Sequence, residues 1–343
     1  MEKIGIKQFT LNELKEYFKQ LGQKPYRAEQ VYSWLYDKDK RVESFSEMTN
    51  LDKTLRDELD NIFYIERLEC LEKQVSKDGT IKYLLKLPTS DAIETVLMKY
   101  HHGYSICIST QKGCKMGCKF CASTKAKFGG NLTAGEIIEQ ILFVEKDENI
   151  RVSNVVFMGI GEPLDNFENV IKAIENINNY KGLNIGARHI SISTCGLVPE
   201  IKKLADLKLQ CVLSISLHSA VDEKRSSIMP INNRYGIKEL MEACKYYTET
   251  TGKRISFEYA LIKGVNDNIE DAKQLVNLIK DIKCHVNLIP VNETKETDFK
   301  KTEEKSILKY RDYLNENGIV ATIRRELGSD IDAACGQLRK RST

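Results

Sequence analysis

The sequence predicts an α/β protein: an open, partial (β/α)6 barrel of the TIM-like kind, preceded by a small helical domain. Two observations carry this expectation. From residue 105 onward, short apolar strands alternate with amphipathic helices, which is the rhythm of parallel strands joined by crossover helices. Ahead of them, the first 70 or so residues carry apolar side chains at helical spacing. Six units fall short of the eight that close a barrel, so the sheet is expected to stay open.

Taken in order, Leu11–Phe18, Ala28–Leu35 and Leu51–Ile62 read as helices, the last with Thr49 and Asn50 as candidate caps. Residues 1–75 are assigned to this helical domain. Residues 76–104 read as an extended connection, with segments Ile81–Leu87 and Glu94–Tyr100 punctuated by Gly79, Pro88 and Gly103. The barrel is assigned to 105–343. Its strands are expected at Ser105–Ser109, Asn154–Met158, His189–Ser193, Cys211–Leu217, Ile255–Leu261 and His285–Pro290. Helices are expected near 134–146, 167–178, 198–206, 236–250, 270–281 and 302–317. In such sheets the ligand site lies at the carboxyl ends of the strands.

The chain has 343 residues, 41% apolar and 29% charged, enough for a sizeable core. A net charge of +3 neither announces nor excludes a nucleic-acid partner. No apolar run approaches the roughly 20 residues of a membrane span, and Met1–Lys7 lacks a secretory apolar region. A cytoplasmic protein is expected, in which ten cysteines are no disulfide framework. Scattered cysteines in such a chain are mostly inert core residues, whereas a cluster is read first as metal ligands.

Cys114, Cys118 and Cys121 form that cluster, at spacings of four and three on a Gly-punctuated loop after the first barrel strand. Structural zinc takes four ligands and ferredoxin clusters take four cysteines, and here no fourth lies nearby. Zinc with a distant fourth ligand remains the alternative. Gly159-Ile-Gly-Glu-Pro163 follows the next strand and would be weak evidence alone. Ser193-Thr194, Ser216-Leu217-His218 and Asn292 end later strands, where small polar residues are often plain turn formers.

The triad, with Phe120 between its last two cysteines, resembles the radical S-adenosylmethionine (SAM) signature. The resemblance implies a [4Fe–4S] cluster on Cys114, Cys118 and Cys121, with one iron open to SAM. It further implies SAM contacts at Gly161, Glu162, Ser193, Ser216, Leu217, His218 and Asn292. Met158–Leu164, Ser193–Pro199, Ser216–His218 and Asp330–Gln337 together are similar to the RlmN family, over nearly the whole chain. That family methylates C2 of an adenosine in 23S rRNA, at the peptidyl transferase centre, and in tRNA. A related family, Cfr, attacks C8 instead, and Pro163 together with the Cys195–Pro199 run favours RlmN.

The RlmN resemblance implies that Cys335 carries the methyl group, that Cys107 resolves the protein–RNA adduct through a transient disulfide, and that Glu94 accepts the C2 proton. Two SAM molecules are used per turnover, and a flavodoxin or ferredoxin is the expected electron donor to a monomer. Support for RNA from the residues themselves is thin: Arg324-Arg325, the tail Arg339-Lys340-Arg341, and Lys112, Lys115, Lys119, Lys125 and Lys127 around the cysteine loop. The N-terminal helices are expected to help hold the RNA. Two other readings stay open: a non-catalytic metal-containing RNA-binding module, and a radical SAM enzyme for another substrate such as a peptide.

Overall fold

The computed structural model describes residues 3–292, 298–339 and the backbone of 341–342; Lys340 and the side chain of Arg341, in the basic tail, lie outside the described residues. The chain opens with β1 (Ile4–Gly5), α1 (Leu11–Gln20), α2 (Pro25–Tyr36), α3 (Lys53–Ile62) and β2 (Phe63–Tyr64), with β1 parallel to β2. Thr10 caps α1 in a reciprocal box with Glu13, Pro25 opens α2 and Asp52 caps α3. This unit is fastened to the barrel by buried polar contacts. Lys7 pairs with Glu139, and the Tyr32 hydroxyl donates to Asn176 Oδ1 at 2.9 Å.

Next come β3 (Glu69–Val75), β4 (Ile81–Lys86), β5 (Asp91–Tyr100) and β6 (Gly103–Cys107), each antiparallel to the one before. Residues 76–104 are therefore extended, but they are strands of the main sheet rather than a connection between domains. The punctuation at Gly79 belongs to a hairpin, where that residue takes φ +84°.

From β6 the expected alternation follows: α4 (Ala134–Glu148), β7 (Val152–Phe157), α5 (Phe167–Asn178), β8 (Ile190–Thr194), α6 (Val198–Asp206) and β9 (Val212–Ser216). It continues through α7 (Asp222–Ile228), α8 (Ile237–Thr251), β10 (Ile255–Leu261), α9 (Ile269–Ile279), β11 (Cys284–Pro290), α10 (Glu304–Glu316) and β12 (Ala321–Ile323). β6 to β12 are parallel neighbours in chain order, one strand more than the six expected. Three residues of β12 are too few to show a period. β13 (Arg341–Ser342) returns antiparallel to β5. The sheet is an open partial barrel with an antiparallel flank, and among the described residues no helix is long and apolar enough to cross a membrane.

Side chains alternate along each strand. Ile190, Ile192, Leu213, Ile215, Phe257 and Leu288 are fully buried in the core. The opposite face carries Ser191, Ser193, Ser214, Ser216, Glu258 and Asn287. Buried Glu258 Oε1 accepts from Ser256 Oγ at 2.8 Å and Asn287 Nδ2 at 3.1 Å, and Thr322 Oγ1 donates to Asn287 at 2.7 Å. The concave interior of the barrel is thus polar, which suits a site more than a filled core.

Candidate active site

The cysteine loop leaves β6 and folds back over the strand ends. Cys114 N donates to Ser123 O at 3.1 Å, and Lys119 N to Ile228 O at 2.9 Å. Cys114, Cys118 and Cys121 all line one cavity of about 160 Å³ at the carboxyl ends of β7 to β11. Burial pushes the Cys114 thiol up to about 12 and drives Cys118 and Cys121 upward as well, with the neighbouring sulfurs adding to the effect. Three thiols so destabilised as anions need a cation to ionise. Among the described residues no three such groups converge on a single ion.

Gly161, Glu162, Ser193, Ser216, His218 and Asn292 line the same cavity; Leu217 does not, being buried with its N–H on Glu258 O. Gly161 has φ +113°, and a Cβ there would stand 2.7 Å from Gln111 Cβ, so only glycine fits. Glu162 is held from three sides: its N donates to Gln111 Oε1 at 2.9 Å, while Cys195 N and Leu164 N donate to its carboxylate at 2.8 and 3.1 Å. Burial raises its pKa nonetheless. An arriving ammonium would offset that burial, which is the fit expected for a SAM amino group. His218 sits at φ +56°, accepts from Ala260 N through Nδ1 at 2.8 Å and meets the Phe120 ring edge-on at 4.8 Å. Burial depresses it to about 3, so it is neutral with its proton on Nε2.

Cys335 is half-buried on a C-terminal strap that crosses the cavity. Asn292 Nδ2 donates to Cys335 O at 2.9 Å, Ala122 N to Gly336 O at 2.7 Å, Ser123 Oγ to Leu338 O at 2.6 Å, and Arg339 N to Glu94 Oε2 at 2.9 Å. Cys335 lines both the first cavity and an adjoining one of about 40 Å³. Cys107 lines the second, its thiol pushed up to about 12 by burial and then by the Cys335 sulfur. Glu94 lines neither. It is fully buried in β5, with Lys82 Nζ at 3.6 Å, on the face it shares with Val96 and Met98 of the second cavity. Around the cysteine loop, Lys112 and Lys115 pair with Asp91 and Asp165, and Lys119, Lys125 and Lys127 are exposed.

Four residues were given no place at this site by the sequence. Cys195, one of the scattered cysteines, lines the first cavity; burial and the Glu162 carboxylate push its thiol well up. Arg225 is completely buried and donates to the carbonyls of Leu217, Cys195 and Ser216 and to Asn232 Oδ1 at 2.7–3.1 Å. Arg324 and Glu258, 3.8 Å apart, line the first cavity, and Arg324 lines the second as well. A glutamate inside the otherwise buried run Ile255–Leu261 was a readable signal for Glu258. Arg225 lies in an ordinary polar stretch and gave none.

Comparison with known proteins covers both parts of the chain. A model of the ribosomal RNA large subunit methyltransferase N-terminal domain matches residues 4–65, and the radical SAM superfamily model matches 108–279. A relative from Clostridium perfringens, named a probable dual-specificity RNA methyltransferase RlmN, is 54% identical over 337 residues, covering 98% of this chain and 96% of its own. A protein of the same name from Bacillus velezensis is 51% identical over 341 residues, covering 98% of this chain and 93% of its own. The crystal structure of a radical SAM methyltransferase from Sphaerobacter thermophilus superposes with TM-score 0.91 at 40% identity, covering 98% of this chain and 99% of that one.

Proposed function

This chain belongs to the RlmN family of radical SAM RNA methyltransferases, and from that premise we propose that it methylates C2 of adenosine in 23S rRNA, at the peptidyl transferase centre, and in tRNA, by way of a methylated cysteine. The observation that carries this reading is the position of Cys335, half-buried where the cavity of the three cluster cysteines meets that of Cys107. C2 of adenine lies between two ring nitrogens and is too electron-poor to displace a methyl group from SAM itself. A cysteine sulfur can do so, and then present the carbon to the base.

In this reading Cys114, Cys118 and Cys121 would hold one [4Fe–4S] cluster, which would supply the electron for reductive cleavage of SAM to methionine and a 5′-deoxyadenosyl radical. Gly161 and Glu162 seat the SAM amino group, with Ser193, Ser216, His218 and Asn292 completing its site, while Leu217 is buried behind it. Neutral His218 presents an N–H without adding charge. Cys335 takes a methyl group from a first SAM; the radical from a second SAM removes one hydrogen atom from that group, leaving as 5′-deoxyadenosine, and the S-bound carbon then adds to C2. Cys107 attacks the Cys335 sulfur to release the RNA, leaving a disulfide for outside reductant to reopen. Glu94, tied through Arg339 N to the strap bearing Cys335, accepts the C2 proton. A flavodoxin or ferredoxin supplies electrons to a cytoplasmic, monomeric enzyme.

The test is anaerobic reconstitution with SAM, a reductant and unmodified 23S rRNA or tRNA, followed by nucleoside mass spectrometry. 2-Methyladenosine together with 5′-deoxyadenosine is expected. 8-Methyladenosine would assign the regiochemistry of Cfr, and neither product from a cluster-loaded protein would favour a non-catalytic RNA-binding module.

A further inference from the structure

We propose that a third cavity, reached from the Cys107 side of the barrel, is the mouth through which a single-stranded RNA segment delivers its target base to Cys335. The inference rests on the methyltransferase reading and adds the route by which the substrate arrives. Ser105 and Cys107 share one face of β6, and Asn154, Val156 and Met158 share the matching face of β7. Ser105, Asn154 and Val156 line the third cavity, of about 220 Å³, while Cys107 and Met158 line the second. Met98 and Tyr100 border both, and Arg324 borders all three. The three spaces therefore succeed one another along the concave face of the sheet. The first is committed to the cluster cysteines and the SAM contacts, so a base bound for Cys335 has the opposite side left to it.

The chemistry of this mouth fits RNA. Its lining includes Arg188, Arg324, His102 and His189, and no carboxylate. Arg188 is exposed and, among the described residues, forms no ion pair. The rings of Tyr100 and His102 stack at 5.1 Å with planes 13° apart, and His101 meets His102 edge-on at 4.9 Å. His102 is exposed and Tyr100 half-buried, so the pair runs from solvent into the cavity. Flat stacked rings beside cationic groups are how proteins hold single-stranded nucleic acid: bases stack on the rings and phosphates meet the cations. A base presented to a carbon-transferring cysteine has to be out of its own stack, and a ring platform replaces what it loses.

The test measures binding of a fluorescent, unmodified adenine-bearing RNA stem–loop by anisotropy. It uses cluster-loaded protein matched for iron content and Cys335 methylation, across a salt series. His102→Ala is expected to raise Kd about tenfold. Arg188→Glu is expected to raise it at least tenfold and to reduce the slope of log K against log salt by about one. Lys309→Glu, on the exposed side of α10, makes the same charge change elsewhere and is expected to raise Kd less than twofold. If His102→Ala and Arg188→Glu bind within twofold of wild type, or Lys309→Glu weakens binding equally, the mouth is wrong. A wild type that methylates RNA alongside such silent variants sinks the mouth alone. A wild type that neither binds nor methylates RNA sinks the methyltransferase reading with it.

Discussion

Replacing Arg225 with methionine is the sharpest test of how the SAM-side cavity is held. The guanidinium is completely buried and spans three carbonyls, Cys195 after β8 and Ser216 and Leu217 at the end of β9, besides Asn232 Oδ1. Methionine matches the apolar stem and removes every donor. Four acceptors left without their donor cost about 1–1.5 kcal/mol each, or about 4–6 kcal/mol together. Removing a buried charge returns about 2 kcal/mol of desolvation. The net expectation is a loss of about 3 kcal/mol, a large share of the stability of any domain. Urea unfolding of wild type, Arg225→Met and Arg225→Lys measures it. Lysine keeps the charge but cannot reach four acceptors from three segments, so it should fall between the other two. Iron content and SAM affinity should follow the same order, because the two loops carry Cys195 and Ser216 of the cavity. A methionine variant within 0.5 kcal/mol of wild type would refute the reasoning.

Other outcomes follow from the same geometry. Cys335→Ala should abolish S-methylation, read by intact-protein mass spectrometry, with iron content unchanged; a normally methylated variant ends the carrier assignment. Cys107→Ala should accumulate a covalent protein–RNA adduct, visible as a nuclease-sensitive mass shift, whereas a variant purified free of RNA removes Cys107 from the resolving role. Glu162→Gln keeps the shape and loses the charge, so SAM dissociation constants from equilibrium dialysis should rise at least tenfold. His218 is depressed from 6.5 to about 3 in the fold, so the unfolded chain binds the proton first. Stability is then full above pH 6.5 and falls as pH drops toward 3, by about 3 kcal/mol at pH 4. His218→Asn, which tolerates the left-handed backbone, should flatten that decline in urea midpoints measured from pH 7 to pH 4.

The alternation from β6 to β11 was legible because each strand buries one whole face and each helix one stripe, so both periods survive in the sequence. Residues 76–104 misled because hairpin glycines look like linker glycines until a partner strand is seen. The three cysteines of the 114–121 loop stood out by spacing, whereas Gly161 and Glu162 were singled out only by the resemblance, their turn being weak evidence alone. Arg225 did not stand out, and Arg324 was noted only as one of a basic pair, since an arginine's reach of several ångströms lets it serve loops far away in sequence. Cys195 was noted only as the start of the 195–199 run, and it is the return of β8 beside Glu162 that gives it a place in the cavity.

The strap that carries Cys335 has a consequence for motion. The four hydrogen bonds described above each join it to a distant part of the chain, and in each of them one partner is main chain of the strap itself. At about 1 kcal/mol apiece these four alone contribute about 4 kcal/mol to the free energy of opening, so no more than about one molecule in a thousand has the strap lifted. That population is small enough to keep a reactive sulfur covered at rest. Amide hydrogen exchange at Gly336 to Arg339 would register such an opening as a local event, short of unfolding the barrel.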